Sequence, residues 1–287
     1  MNLLHKFFSE YKIEERIDYR DHLYASEFEK CGRQIWYSFK KTPPSNPMGL
    51  TNEVIFMTGK AVEVEFVKKL AKAGILAPKE KVLTELAGKV TWQGDKNQWH
   101  VSHKGIITGC PDAILADLAP LEVKSFYGPY YGKELAADTP KLNYAKQLAM
   151  YMYELGSNSG HMVHLDRGSG EIYYHEMTRS GTRFTVGTVS FDLSEDIRKA
   201  TELLGELKAG KEIAKQYHYK YPFEHLSREA SAGKLKKLKV GKAIKGEAVL
   251  GDWQCKYCSH KNTCQGENVG YSDEEIAQLK KIYSIAK

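Results

Sequence analysis

The sequence predicts an α/β protein in which amphipathic helices alternate with short β-strands, and three observations predict it. Over 52–73, Val54, Ile55, Val62, Phe66, Val67 and Leu70 recur at helical spacing, and Gly74 follows as a stop. From about 81 to 125 the pattern switches to β-rich runs divided by Gly, Asp and Pro: VLTELAGKVTW, QWHVSHKGIITGCPDAILAD and APLEVKSF, roughly four strands. Helix and strand then alternate again. Residues 140–156 form a strong helix ending at Gly156. HMVHLD and EIYYHEM pair as a hairpin turning at 167–170, and helices follow from 194 to about 208 and near 211–219.

The flanks are less regular. Residues 1–25 read as a helix, with Leu3, Leu4, Phe7, Phe8 and Tyr11 at helical spacing. SEFEKCGRQIWYSFK, with Cys31, comes next, and TPPSNPMG (42–49) breaks the pattern. An aromatic loop holding Phe126, Tyr127, Tyr130 and Tyr131, with Tyr144 just beyond, precedes the 140–156 helix. Residues 226–250 carry seven basic and two acidic side chains, a net +5, while the whole chain of 287 residues carries only +6. Such a run reads equally as a solvated loop or as a strip that contacts phosphates.

A composition that is 42% hydrophobic and 27% charged excludes a disordered or collagen-like chain. No apolar run is long enough to cross a membrane, and the charged N-terminus lacks the apolar centre of a signal peptide, so a cytoplasmic protein without a membrane partner is expected. No repeat is present. There is no Gly-x-x-x-x-Gly-Lys-Ser/Thr loop, which argues against a motor subunit.

Two constellations carry chemistry. The first is Pro111-Asp112, nine residues, then Glu122-Val123-Lys124. On a strand, Glu122 and Lys124 project to one face, and a neighbouring strand can bring Asp112 beside them. Two carboxylates offer oxygen ligands to Mg²⁺ or Mn²⁺, and the lysine can orient a water or stabilise charge on a phosphate. That combination suits metal-assisted phosphodiester hydrolysis. The second is Cys255-x2-Cys258-x5-Cys264, three thiols where a tetrahedral zinc site or a four-iron cluster needs four. Clustered cysteines in a cytosolic chain favour metal over disulfides. Cys31 is assigned as the fourth ligand, and Cys110, in a predicted strand beside Asp112, as a core thiol.

Pro-Asp…Glu-x-Lys resembles the signature of the PD-(D/E)XK nuclease superfamily. Two further matches fall in family order. Gly59-x-x-x-Glu63 resembles the first motif of RecB-type nucleases, where a helix brings a third metal-binding group to the site, with Glu65 a nearby competitor. Gln147-x-x-x-Tyr151 resembles the motif that follows their lysine, both side chains lying on one helix face. The one-plus-three cysteine arrangement resembles the iron–sulfur nucleases of that group, above all the CRISPR-associated Cas-four exonucleases and their virus-encoded relatives, and also the AddB-type helicase-nuclease subunits. The sequence departs from them at Glu63, where His is frequent, and at Gly32, where Pro is frequent.

The resemblance covers about 22–266 and implies a restriction-endonuclease-like core, a central mixed β-sheet flanked by helices, over 51–225. Segments 1–50 and 226–287 would form one helical region stapled by a [4Fe–4S] cluster on Cys31, Cys255, Cys258 and Cys264, iron–sulfur being expected over zinc. Glu63, Asp112, Glu122 and the carbonyl of Val123 would hold Mg²⁺ or Mn²⁺, Lys124 would position the attacking water, and Gln147 and Tyr151 would line the site. Tyr127, Tyr130 and Tyr131 would stack on unpaired bases or pack as a loop, and the Lys-rich 234–245 stretch would grip the backbone. The implied activity is a metal-dependent DNA exonuclease on single-stranded DNA or DNA ends, in CRISPR adaptation or in phage or mobile-element DNA processing. A different class, a DNA-end-binding adaptor whose cutting is gated by an integrase or helicase partner, shares these features, and a zinc-stapled RNA-binding protein with incidental carboxylates is a third.

Overall fold

The computed structural model describes residues 20–47, 49–94, 96–266 and 270–286. The described residues divide into two compact units, one of 20–30 and 50–211, the other of 31–49 and 212–286. The helix expected over 1–25 therefore falls mainly outside the described residues. Its last part is not helical: β1 (Leu23–Tyr24) and a 3-10 turn (Ala25–Glu27) occupy it.

The first unit is mixed α/β with two sheets. In the four-stranded sheet, β1 runs parallel to β4 (Ile107–Gly109), which pairs antiparallel with β3 (Gln98–His103) and through it with β2 (Val90–Gln93). The six-stranded sheet has the order β10-β9-β8-β7-β6-β5. Its members are β5 (Ala113–Ile114), β6 (Pro120–Phe126), β7 (Ser159–Asp166), β8 (Ile172–Ser180), β9 (Arg183–Val186) and β10 (Val189–Asp192). Only β6 and β7 are parallel in it, because the chain between them crosses over through helices Pro129–Ala136 and Leu142–Leu155.

Helices cover both faces of this sheet. Val62, Phe66, Val67 and Leu70 of helix Leu50–Lys72 pack on Leu121, Val123, Val163 and Leu165. Leu148, Ala149 and Met152 of helix Leu142–Leu155 meet Met162, Met177, Phe184 and Val186 on the other face. Each fully buried Leu, Val, Met or Phe among them contributes roughly 1.5–3 kcal/mol relative to exposure. The Leu142–Leu155 helix also packs on β3 and on the 3-10 turn, which is why its apolar residues surround it rather than forming a stripe. Gly156, left-handed at φ 72°, ends it.

Several sequence expectations are corrected. Val54 and Ile55 stay exposed, so the apolar stripe of the 52–73 segment starts only at Val62. The VLTE stretch is the end of helix Lys79–Glu85, since Val82 and Leu86 bury at i, i+4 spacing. The aromatic loop contains a helix because Pro129 stands at its first turn. Strands β9 and β10 went unread although Arg183–Val186 alternates exposed and buried positions. Residues 211–219 are irregular: Ile213 buries and the Gln216 Oε1 accepts from the Gly32 N–H at 2.7 Å, anchoring the chain side by side rather than in a helix.

The second unit is helical. Helices Phe223–Ser231, Lys237–Ile244 and Asp273–Ile285 enclose Leu226, Ala230, Val240, Ala243, Leu279 and Ile282, so the basic 226–250 stretch is two short helices and their connections. The last helix starts with a capping box, Ser272 Oγ accepting from Glu275 N and Glu275 Oε2 accepting from Ser272 N. Helices Gly32–Phe39, Trp253–Lys256 and Lys261–Gln265 carry the cysteine segments. No described helix is long and apolar enough to cross a membrane.

Candidate functional site

Strand β5 is only two residues long and pairs β6 no further than Leu121. Beyond that point the edge of β6 has no strand partner, and its N–H groups need acceptors. Carboxylates supply them. Asp112 N–H bonds to Leu121 O at 3.1 Å, and Asp112 Oδ2 accepts from Val123 N at 2.8 Å. Two residues on, Glu63 Oε1 accepts from Ser125 N at 3.2 Å. Along a strand the N–H and C=O of one residue point to the same side, so the Val123 carbonyl faces this edge together with both carboxylates. Helix Leu50–Lys72 can bring Glu63 this close because Gly59 lies against β6: a Cβ there would stand 3.0 Å from Ser125 Oγ.

Glu122 and Lys124 share the other face of β6. Glu122 is 1% exposed. Its Oε1 meets the Lys124 ammonium as an ion pair, and neither carboxylate oxygen accepts an aligned hydrogen bond. Burial, with Asp112 and Glu63 adding to it against Lys124, pushes the Glu122 carboxyl up to about 8. Burial also raises Glu63, against the Ser125 N–H bond and Lys124. Burial would lower Lys124, but Glu122, Asp112 and Glu63 together raise it, so it stays charged. Three carboxylates thus crowd a poorly solvated edge, an arrangement that favours a cation.

Lys60, one turn before Glu63, was missed in the sequence. Its Nζ lies 3.7 Å from Asp112 Oδ1 and 4.0 Å from Glu63 Oε2, and the i, i+3 spacing to Glu63 was the available signal. Glu65 is exposed and pairs with Lys68, which removes it as a competitor. Among the described residues, no three His, Cys, Asp or Glu side chains are drawn together tightly enough to enclose an ion. Lys60 and Lys124 supply the counter-charge between them. The donor set of hard oxygens nonetheless fits Mg²⁺ or Mn²⁺, and the unbonded oxygens of Glu122 are the observation that says so.

Gln147 and Tyr151 come together as expected, Gln147 Nε2 donating to Tyr151 OH at 3.0 Å, both buried. The Tyr151 ring lies against β4, where a Cβ at Gly109 would stand 2.7 Å from it. Tyr127 and Tyr130 are 78% and 77% exposed, whereas Tyr131 is buried. Tyr131 OH meets His164 Nε2 at 3.0 Å and accepts from Lys141 N, so it is not free to stack on a base. His164, opposite Lys124 in register, is held neutral by burial, which pushes it down to about 3.

Four cysteines gather in the second unit. Cys31, Cys255, Cys258 and Cys264 line one pocket, none of them in a disulfide, with Arg33, Lys215 and Lys261 around them. Burial pushes Cys255 up to about 11, and the other three sulfurs and Asp252 add to it. Asn46 N bonds Ser259 O, Asn262 Nδ2 bonds Ser45 O and Thr263 N bonds Ser45 Oγ, so the proline-rich segment holds the cysteine loops. A tetrathiol set among cations fits a [4Fe–4S] cluster or zinc by donor chemistry. The space enclosed is about 20 Å³, so a cluster requires the loops to spread further than a single ion does. Cys110 lies in the first unit and is not in a strand core: it follows β4, half-buried, at the rim of another pocket.

Fold and site together define a mixed α/β protein with a carboxylate and lysine centre on the free edge of a sheet. Against known proteins, no family model and no curated protein matches the chain. Among solved structures, it is similar to an alkaline exonuclease from Laribacter hongkongensis, LHK-Exo, at 15% identity and TM-score 0.39 over 79% of this chain and 98% of that one. The same exonuclease in complex with dAMP aligns at 17% identity and TM-score 0.36, over 74% and 94% of the two chains. SSO0001 aligns at 13% and TM-score 0.41, over 94% and 96%. At these values the likenesses decide no activity, and the functional reading rests on the residues.

Proposed function

We propose that the protein is a metal-dependent deoxyribonuclease, an exonuclease that hydrolyses phosphodiester bonds in single-stranded DNA or at DNA ends. The observation that carries this reading is the free edge of β6, where Asp112 and Glu63 cap the N–H groups of Val123 and Ser125 while the buried Glu122 carboxylate meets the Lys124 ammonium beside them. Asp112, Glu63, Glu122 and the Val123 carbonyl would hold Mg²⁺ or Mn²⁺. The ion supplies Lewis-acid polarisation of the phosphate and a nucleophilic water at neutral pH.

The chain's own groups do the rest. Glu122, whose carboxyl burial raises to about 8, would hold the ion in its ionised form. Lys124, freed from Glu122, orients the attacking water and faces the charge that builds on the phosphate. Gln147 and Tyr151 border the site, and exposed Tyr127 and Tyr130 stack on unpaired bases. Lys234, Lys236, Lys237, Lys239, Lys242 and Lys245, all exposed, contact phosphates of the strand. Cys31, Cys255, Cys258 and Cys264 would hold a [4Fe–4S] cluster that ties residue 31 to the 255–264 loops as a structural staple.

The test is degradation of labelled single- and double-stranded DNA with Mn²⁺. Asp112→Ala and Lys124→Ala should each lower the rate by at least roughly 100-fold with an unchanged circular dichroism spectrum. Full activity in either variant overturns the assignment. DNA binding without cutting by the wild-type protein points instead to an end-binding adaptor that needs a partner. For the cysteines, anaerobic purification should yield a brown protein with about four irons per chain; stoichiometric zinc overturns the cluster.

A further inference from the structure

A second pocket, of about 370 Å³, lies in the first unit, within the size range of small-molecule sites. It is lined by the ends of β1, β2, β3 and β4 and by Gln147 and Tyr151, and Tyr151 lies close enough to Glu122 and Asp112 to feel their charge. Cys110, at its rim, precedes Asp112 by two residues, about 7 Å of extended chain.

Its chemistry is one-sided. His22, Lys96, His100, Gln93, Gln98 and Thr108 line it, and no carboxylate does among the described residues. Asp21 Oδ1 stands 3.1 Å from the His22 Nδ1. The basic groups crowd one another: besides burial, His22 and Lys96 both push His100 down. Thr108 is 6% exposed, and its Oγ1 is buried without a hydrogen-bond partner. A lining that combines an ammonium, two imidazoles, amide groups and an unpartnered buried hydroxyl, with no carboxylate among the described residues, is organised for an anion.

We infer that this pocket is a phosphate subsite, which takes a phosphate-bearing nucleotide of the substrate strand beside the one being cleaved, through Lys96, His100 and Thr108. Its place on the substrate strand rests on the nuclease reading; the anion site does not. With this subsite engaged, the strand is registered relative to the carboxylates, and cleavage falls a set distance from the held phosphate.

Calorimetric titration in EDTA separates the two claims, because nothing is cut there. Thymidine monophosphate should bind wild-type protein and Asp112→Ala alike, and thymidine at least about tenfold more weakly. Lys96→Ala with His100→Ala should weaken the nucleotide at least about tenfold, and Thr108→Val by about fivefold. Lys96 is exposed, so its removal leaves the fold intact. Equal affinity in the double variant, equal affinity for thymidine, or loss of binding in Asp112→Ala overturns the subsite. Oligonucleotides with and without a terminal phosphate, titrated into Asp112→Ala, identify the source. A Lys96-dependent preference for the phosphorylated end assigns a strand terminus, and Lys96-dependent binding of both assigns an internal phosphodiester. If the wild-type protein fails to cut while the Lys96 dependence holds, the nuclease reading fails and the anion site stands.

Discussion

The two units place their candidate sites by different means. In the first, the carboxylates are fixed by backbone: Asp112 and Glu63 accept from consecutive edge N–H groups of β6, and Glu122 is anchored by its position inside the same strand. In the second, the thiols sit on short helices and loops, held by side-chain contacts from the 42–47 segment. A sheet edge positions donors whether or not a ligand is bound, whereas loops this short gain stability from the ligand itself. The comparison teaches that one metal site would serve chemistry and the other would serve the fold.

That contrast can be broken experimentally. The largest effect is expected in stability. If the four thiols hold a metal group, Cys255→Ser should lower the melting temperature by about 10 °C, the shift that loss of several kcal/mol brings in a chain of this size; Asp112→Asn should leave it unchanged. Equal melting shifts in the two variants would erase the distinction. Next in size is pH. Because burial places Glu122 near 8, an ion must displace its proton below that value. Mn²⁺ affinity should therefore fall by up to about tenfold per unit as the pH drops from 8, with about one proton released per ion in calorimetry at pH 7. A flat profile would mean Glu122 is not a ligand.

Smaller effects sharpen the first unit alone. Tyr127→Ala with Tyr130→Ala should weaken single-stranded DNA binding by about 1–3 kcal/mol per stacked base in the Asp112→Ala background, and should leave an abasic strand unaffected. Tyr131→Phe, which removes only the hydroxyl bonded to His164, should cost stability of about 1 kcal/mol and little affinity. Of similar size, Gly109→Ala pushes on the buried Tyr151 ring, and a melting shift of a few degrees without loss of Mn²⁺ affinity is expected.

Much of this was legible in the sequence. The strand context of Glu122-Val-Lys124 placed both side chains on one face, and the i, i+4 spacing of Gln147 and Tyr151 brought them within bonding distance. What was not legible depended on neighbours distant in sequence. Lys79–Glu85 reads as a strand until Val82 and Leu86 are seen to bury together, and Tyr131 reads like Tyr127 and Tyr130 until His164 is seen beneath it. Cys110 reads as a core thiol because nothing local reveals the pocket that opens after β4.

By itself the sequence determined the α/β class, the two constellations and the clustering of positive charge, because periodicity, spacing and composition are local properties. Only the tertiary structure decided which groups meet. It ended β5 after two residues and so left an edge for Asp112 and Glu63 to cap, it buried Glu122 against the Lys124 ammonium, and it brought Lys60 between two carboxylates. It also gathered Cys31 with residues more than two hundred positions away into one pocket. Unpaired backbone groups, desolvation and charge proximity arise only when separate segments pack, and those three set what the site can bind.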